Sequence, residues 1–135
     1  MSVRRVSPEE AKTLLDEEGY VYVDVRSIPE FEAGHPQGAY NVPIAHLGQM
    51  GMTPNTNFLI VMQKHFARDA KLVVGCKAGG RSLQAAMLLQ SAGFTGVVDQ
   101  RAGFDGGPGE PGWRPRGLPI SQQAEADKSY EALAK

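Results

Sequence analysis

The sequence predicts an α/β fold with a central parallel sheet of about five strands and helices on both faces. Short runs of β-branched and aromatic residues alternate with amphipathic helical patterns, as in chains whose parallel strands are joined by crossover helices. The chain has 135 residues, of which 41% are hydrophobic and 21% charged, so it is long enough to bury one core. We predict one domain over residues 1–120, followed by a polar tail or weak helix over residues 121–135.

In the first half of the chain, a helix-capping pattern and a β-branched run mark the predicted elements. Ser7, Pro8 and Glu10 form a capping-box pattern, which is typical of a helix start. Tyr20–Val25 is β-branched and aromatic, so it suits a central strand. The predicted elements are a strand at Val3–Val6, a helix from Pro8 to Gly19, a strand at Tyr20–Val25, one helical turn at Pro29–Ala33 and a connecting loop at residues 34–41.

The second half of the chain again alternates predicted helices with predicted strands. Phe58, Met62 and Phe66 fall at four-residue spacing, which predicts the core face of a helix. Residues 103–117 contain six glycines and three prolines, so we predict a loop that Trp113 anchors to the body. The predicted elements are a helix at Asn57–Phe66, a strand at Lys71–Gly75, a helix at Ser82–Ala92 with Gly93 as its stop, and a strand at Gly96–Gln100.

The only cysteine lies between a predicted strand and a predicted helix. It begins the run Cys76-Lys77-Ala78-Gly79-Gly80-Arg81-Ser82. Glycines let backbone N–H groups converge on one point, and the helix N-terminus, Lys77 and Arg81 add positive charge that favours a thiolate and an incoming anion. The carboxyl end of a parallel strand is also where open α/β sheets bind ligands. The alternative interpretation is a small buried side chain, the usual environment of a free cysteine.

The composition argues against several kinds of partner and cofactor. The net charge is -1 and the basic residues are scattered, so we expect no nucleic-acid partner. No apolar run approaches the roughly 20 residues of a membrane helix, and the first residues lack a signal-peptide pattern, so we expect no membrane partner and a cytoplasmic location. The spacing of His35, His46 and His65 is not that of metal ligands, and we predict no metal and no cofactor. With one cysteine, sulfur loaded onto it must leave to an external acceptor.

Three motifs carry a family resemblance. The first is Asp24-Val25-Arg26 with Glu30-Phe31 and residues 34–43, the second is the Cys76–Ser82 loop, and the third is Gly93-Phe94 with the glycine-rich approach to Trp113. Together they resemble the signatures of the single-domain rhodanese (thiosulfate sulfurtransferase) family, especially its small plant and bacterial members. The match runs from about residue 3 to residue 119. Pro36, which follows the histidine, and the long stretch 106–112 depart from the pattern.

The resemblance implies a rhodanese-like three-layer fold and a two-step sulfur transfer. The Cys76 thiolate would take the outer sulfur of thiosulfate as a persulfide, and cyanide or a thiol, including a protein thiol, would accept it. Backbone amides of Lys77, Ala78, Gly79, Gly80, Arg81 and Ser82 would hold the persulfide charge. Lys77 and Arg81 would steer the donor, and Ser82 would either donate to the sulfur or cap the helix. Structural roles are predicted for Asp24, Arg26, Glu30 and His35.

Three other functions fit a cysteine in an anion-binding loop: those of a phosphatase, an arsenate reductase and a sulfur-carrier module. Cysteine phosphatases place their arginine one position further from the nucleophile than Arg81 stands from Cys76, so this loop is one residue short for phosphate. Some plant relatives are implicated in arsenate reduction, which would require external glutathione or a partner here. A sulfur-carrier or docking module that receives persulfide from another protein is the third reading.

Overall fold

A computed structural model describes residues 3–135, so the first two residues of the predicted domain lie outside the described residues. The elements are, in chain order, β1 (Arg4–Val6), α1 (Pro8–Glu17), β2 (Val21–Asp24), α2 (Ile28–Ala33), β3 (His35–Pro36), β4 (Tyr40–Asn41), β5 (Ala45–Gly48), β6 (Gly51–Pro54), α3 (Phe58–His65), β7 (Lys71–Gly75), α4 (Gly80–Ser91), β8 (Gly96–Gln100), β9 (Gly106–Gly107), β10 (Glu110–Pro111), β11 (Ile120–Ser121) and α5 (Tyr130–Leu133).

The central sheet has five strands in the order β1-β8-β7-β2-β4, and every neighbouring pair is parallel. The predicted α/β fold and strand number are therefore confirmed. Strand β7 is central, with Val74 paired to Val23 of β2 and to Asp99 of β8. The loop predicted for residues 34–41 is wrong at two places: His35–Pro36 forms β3, which pairs with β11, and Tyr40–Asn41 forms the edge strand β4. Two residues are too few to show a periodic pattern, so neither strand can be detected in the sequence.

Helices cover both faces of this sheet. Successive β7 residues point to opposite faces: Leu72 and Val74 belong to one hydrophobic cluster and Val73 to the other. The first cluster includes residues of α3, α4 and α5, and the second includes residues of α1 and α2. The predicted core stripe of α3 is confirmed for Phe58 and Met62, which are 1% and 0% exposed.

An antiparallel hairpin, β5–β6, projects between β4 and α3, in a region for which the sequence suggested no element. Leu47 pairs with Met52 in this hairpin, and both side chains are exposed. The hairpin thus extends beyond the two cores.

The glycine-rich stretch 103–117 contains the two-residue hairpin β9–β10 and is otherwise irregular. Trp113 is buried, its indole N–H donates to the Pro119 carbonyl oxygen at 2.8 Å, and its ring packs edge-on against Tyr22. The predicted anchoring by Trp113 is confirmed.

Residues 121–135 contact the body through several groups. The amide N–H of Asn41 donates to the Lys128 carbonyl oxygen at 2.9 Å, and Asn55 donates to the Tyr130 hydroxyl oxygen at 3.1 Å. Leu133, in the short helix α5, is 3% exposed and belongs to the cluster beneath α3 and α4. Strand β11 pairs with β3. This segment therefore contributes to the core.

Candidate active site

The cysteine loop lies at the carboxyl end of the central strand. Strand β7 ends at Gly75, Cys76 follows, and α4 begins at Gly80. The Gly79 amide N–H donates to Cys76 Sγ at 3.1 Å, and Cys76 is 2% exposed. The sulfur therefore lies at the base of the loop and accepts a hydrogen bond from a backbone donor at a helix N-terminus. We call residues 76–82 the cradle.

The two cradle glycines have different surroundings. Gly79 has a φ of +105°, and a Cβ there would lie 2.2 Å from the Arg101 carbonyl oxygen, so only glycine fits without displacement. A Cβ on Gly80 would meet no atom of residues 3–135 within 4 Å. The fold thus leaves room for a side chain at Gly80.

The segment after β8 clamps the cradle backbone. The Phe104 amide N–H donates to the Cys76 carbonyl oxygen at 2.7 Å, and that of Asp105 donates to the Lys77 carbonyl oxygen at 3.0 Å. A Cβ on Gly103 would lie 2.4 Å from the same Lys77 oxygen, so glycine permits this close approach. The conformation of the cradle thus depends on the loop that follows β8.

Arg81 is held by a carboxylate from α2. Its Nη1 and Nη2 donate to Glu30 Oε1 and Oε2 at 2.7 and 3.0 Å. Ser27 donates to the same carboxylate through its backbone N–H and its hydroxyl. Burial alone would raise the pKa of Glu30, but the hydrogen bonds from Arg81 and Ser27 lower it to about 2. Glu30, for which a structural role is predicted, therefore contacts the cradle itself through Arg81. No local pattern in the sequence indicates this contact.

The other cradle side chains differ in exposure. Lys77 and Ala78 are exposed, and Lys77 forms no ion pair with any residue from 3 to 135. Ser82 is fully buried and donates its hydroxyl to the Gly79 carbonyl oxygen at 3.3 Å. Neither contact predicted for Ser82 is seen, because α4 begins two residues earlier than expected and Ser82 lies within its first turn. Its hydroxyl instead ties the turn together.

A second unpredicted ion pair supports the cradle. Arg5 Nε donates to Asp99 Oδ2 at 2.7 Å, and Arg5 Nη2 lies 3.5 Å from the Gly79 carbonyl oxygen. Asp99 is fully buried and its Oδ1 has no hydrogen-bond partner among residues 3–135. Burial raises the pKa of Asp99, with Ser82 and Arg5 opposing that rise. Strands β1 and β8 thus hold a charged group against the cradle.

Asp24, Arg26 and His35, for which structural roles are predicted, are buried and form several hydrogen bonds. Arg26 donates to Asp24 Oδ2 at 2.7 Å and to the Gly34 carbonyl oxygen at 2.6 Å, with both charged side chains buried. His35 Nδ1 donates to the Phe31 carbonyl oxygen at 2.7 Å, and its ring stacks on that of Phe31. These contacts fix the segment that follows β2.

A cavity of about 460 Å³ opens beside the cradle. Its wall includes one cradle residue, Lys77, and Glu30, which binds Arg81. The other residues used below are Phe104, Asp105, Arg114 and Ile120. We call this space the Phe104 cavity.

Residues 3–135 bring together no group of three or more histidine, cysteine, aspartate or glutamate side chains that could hold a metal ion. Over the same residues, no helix is long and apolar enough to cross a membrane.

Comparison with known proteins decides the family. A model of the Rhodanese-like domain matches residues 7–107. The chain belongs to the rhodanese-like family. This rhodanese-like chain is 43% identical over 101 residues to "Thiosulfate sulfurtransferase 16, chloroplastic" of Arabidopsis thaliana, covering 75% of this chain and 79% of that protein. The family resemblance inferred from the three motifs is therefore confirmed.

Two further similarities bear on fold and function. The crystal structure of Rv0390 from M. tuberculosis superposes on this rhodanese-like chain with a TM-score of 0.76 at 30% identity, covering 91% of this chain and all of that one. "Protein HIGH ARSENIC CONTENT 1, mitochondrial" of Arabidopsis thaliana is 33% identical over 86 residues, covering 64% of this chain and 51% of that protein.

Proposed function

We propose that this rhodanese-like chain is a sulfurtransferase that moves sulfane sulfur from thiosulfate, through a persulfide on Cys76, to cyanide or a thiol. The observation that carries the proposal is the hydrogen bond from the Gly79 amide to Cys76 Sγ in a loop that ends at a helix N-terminus. Such a donor stabilises the charge of a thiolate or persulfide without any proton transfer. Similarity to a relative named thiosulfate sulfurtransferase supports the same reaction.

In the first half-reaction the Cys76 thiolate attacks the outer sulfur of thiosulfate. A bond forms between Sγ and that sulfur while the bond to the sulfonate sulfur breaks, and the electron pair leaves with sulfite. Sulfite is stable as a dianion, so its departure needs no proton and no general acid. Lys77, exposed and without an ion pair in residues 3–135, attracts the dianionic donor.

Arg81 has a narrower role in this proposal than the sequence suggested. Both of its terminal nitrogens bind Glu30, so the pair is close to neutral towards a donor. We propose that Arg81 chiefly fixes the first turn of α4 and, with it, the direction of the cradle amides. Lys77 then supplies the free charge that recruits thiosulfate.

A second candidate, arsenate reduction, has one observation in its favour. The relative named HIGH ARSENIC CONTENT 1 is 33% identical to this chain. Because the chain contains one cysteine, the oxidised Cys76 would have to be reduced by glutathione or a partner protein. A docking module that uses thiosulfate poorly is the third candidate. The cytoplasmic location stays a prediction, since the names of relatives place them in the chloroplast and the mitochondrion.

The deciding experiment is incubation with thiosulfate followed by intact-mass analysis. We expect the wild-type protein to gain the mass of one sulfur atom, to lose it on adding cyanide with thiocyanate as product, and Cys76→Ser to gain none. Failure of the wild type to gain sulfur, with the protein folded, would refute the thiosulfate proposal and favour the docking module. Thiol-dependent arsenite formation from arsenate, without sulfur loading, would favour the second candidate.

A further inference from the structure

The Phe104 cavity and the cradle share a wall. Lys77 belongs to both, and Glu30 lines the cavity while binding Arg81 of the cradle. The backbone joins them a second time, because the amides of Phe104 and Asp105 bind the carbonyl oxygens of Cys76 and Lys77. A molecule in this cavity therefore lies next to the sulfur-bearing loop.

The charges of the cavity leave a positive excess. Arg26 is matched by Asp24 and Glu30 by Arg81, both in close ion pairs. Arg114 Nη2 binds Asp105 Oδ1 at 3.0 Å, yet the Arg114 side chain is 55% exposed, so its other donors face solvent. Lys77 has no carboxylate partner within residues 3–135. Two cations of the cavity wall can thus still donate to an anion.

Part of the cavity wall is apolar. Ile120, which is 45% exposed, lines the cavity with Ala33. Phe104, in contrast, is only 5% exposed, and its ring lies 4.4 Å from the Arg26 guanidinium carbon and 5.9 Å from that of Arg114. A volume of about 460 Å³ is within the range that binds small organic ligands and is far larger than cyanide requires. The occupant that fits has a short organic body and an anionic group.

We propose that the Phe104 cavity binds the sulfur acceptor, a small thiol that carries an anionic group, and that Arg114 and Lys77 hold this group. The inference rests on the proposed function, because it concerns its second half-reaction. The acceptor thiolate attacks the outer sulfur of the Cys76 persulfide. The bond from that sulfur to Sγ breaks, its electron pair restores the Cys76 thiolate, and the acceptor leaves as a persulfide, with no net oxidation or reduction.

The test measures sulfur release from the preloaded protein in a single turnover. Cys76 is loaded with thiosulfate or, independently, with inorganic polysulfide, which needs no thiosulfate recognition. The loaded protein is mixed with 2-mercaptoethanesulfonate or with neutral 2-mercaptoethanol, and rates are compared per thiolate. We expect the anionic thiol to react about three- to tenfold faster at low salt, and the preference to shrink as salt is added.

Variants of the cavity wall separate binding from misfolding. Arg114→Ala should lower the anionic thiol's rate about three- to tenfold and leave the neutral thiol's rate unchanged, whereas Arg114→Lys should keep most of the preference. Asp105→Asn should raise the anionic thiol's rate, an effect opposite in sign to damage. Arg116→Ala is the matched control: Arg116 is on the same loop but binds Glu9 and the Pro111 carbonyl oxygen.

The outcomes are distinguishable from a failure of the proposed function. If thiosulfate does not load Cys76 but polysulfide does, the donor assignment fails and the acceptor comparison is still measured. Equal rates for the two thiols in the wild type, or an equal loss for both in Arg114→Ala, would overturn the proposed acceptor site.

Discussion

At the residue scale, the neighbouring glycines of the cradle carry different constraints. Gly79 combines a positive φ with a Cβ position 2.2 Å from a backbone oxygen, whereas Gly80 borders open space. The first glycine is therefore required by the fold. The second is compatible with alanine in the folded chain.

We predict opposite results for the two alanine substitutions. Gly79→Ala should destabilise the protein by more than about 2 kcal/mol, since it adds both backbone strain and a steric clash. The stability of Gly80→Ala should stay within about 0.5 kcal/mol of the wild type. The variant should form the persulfide from thiosulfate more slowly, because the added Cβ occupies space beside the cradle that is open in the wild type. Urea unfolding and the sulfur-loading rate measure the two effects. A Gly79→Ala protein as stable as Gly80→Ala would contradict the assignment.

The Glu30–Arg81 pair predicts a specific acid dependence. The folded-state pKa of Glu30, about 2, lies below its ordinary value of 4.5, so ionised Glu30 stabilises the fold above about pH 4.5. This contribution is lost as the pH falls from 4.5 towards 2. We expect the difference in unfolding free energy between the wild type and Glu30→Gln to be largest near neutral pH and to shrink through this window. Urea titrations across the range test it, and a pH-independent difference would count against the pair.

The parts of the site that depend on local spacing could be predicted from the sequence. The Cys76 loop, its glycines and the following helix are contiguous, so their geometry follows from the order of residues. The two ion pairs at the cradle join residues that are 51 and 94 positions apart, Arg81 with Glu30 and Arg5 with Asp99. Which distant side chains meet depends on strand order and register, and no local pattern encodes these.

At the element scale, the same distinction separates predicted from unpredicted structure. The strands of the sheet interior and the helices that cross over between them have periodic patterns, and their predicted positions agree closely with the structure. The pairs β3–β11 and β9–β10 have two residues a strand, and β5–β6 is exposed on its four-residue strands. Such short or unburied strands arise from pairing with a partner and have no hydrophobic alternation to detect.

The capping box of α1 gives an element-scale prediction. Ser7 Oγ accepts from the Glu10 amide at 3.1 Å, and Glu10 Oε1 accepts from the Ser7 amide at 2.9 Å. Ser7→Ala should therefore cost about 1 kcal/mol of stability. Exposed Ser91, at the end of α4, is the control, and its alanine variant should stay within about 0.5 kcal/mol. Chemical unfolding decides between them. Since α1 packs in the cluster opposite α4, we expect normal sulfur loading in both variants.

At the scale of the whole molecule, both ends of the described chain support the body that holds the cradle. Strand β1 supplies Arg5 to the cradle, and the last helix places Leu133 in the cluster that also contains Cys76. His65 Nε2 donates to the Leu133 carbonyl oxygen at 2.6 Å, which attaches α5 to α3. The final residues thus stabilise the body that holds the cradle.

Leu133→Ala tests this docking. Loss of a buried leucine side chain should cost about 2–3 kcal/mol, near the low end for core positions because a terminal helix can relax. Ile60→Ala on α3, at a position that is 63% exposed, is the control and should cost far less. Urea unfolding midpoints compare them. Equal, small losses would mean that α5 does not dock in solution.

Because the chain has a single, buried thiol, the reactivity of that thiol reports on the cradle. Cys76 is 2% exposed and no other cysteine competes with it. A neutral alkylating reagent can therefore report on one sulfur atom of the chain. The alkylation rate measures how accessible Sγ is to a small molecule, without a dye, a tag or an engineered site.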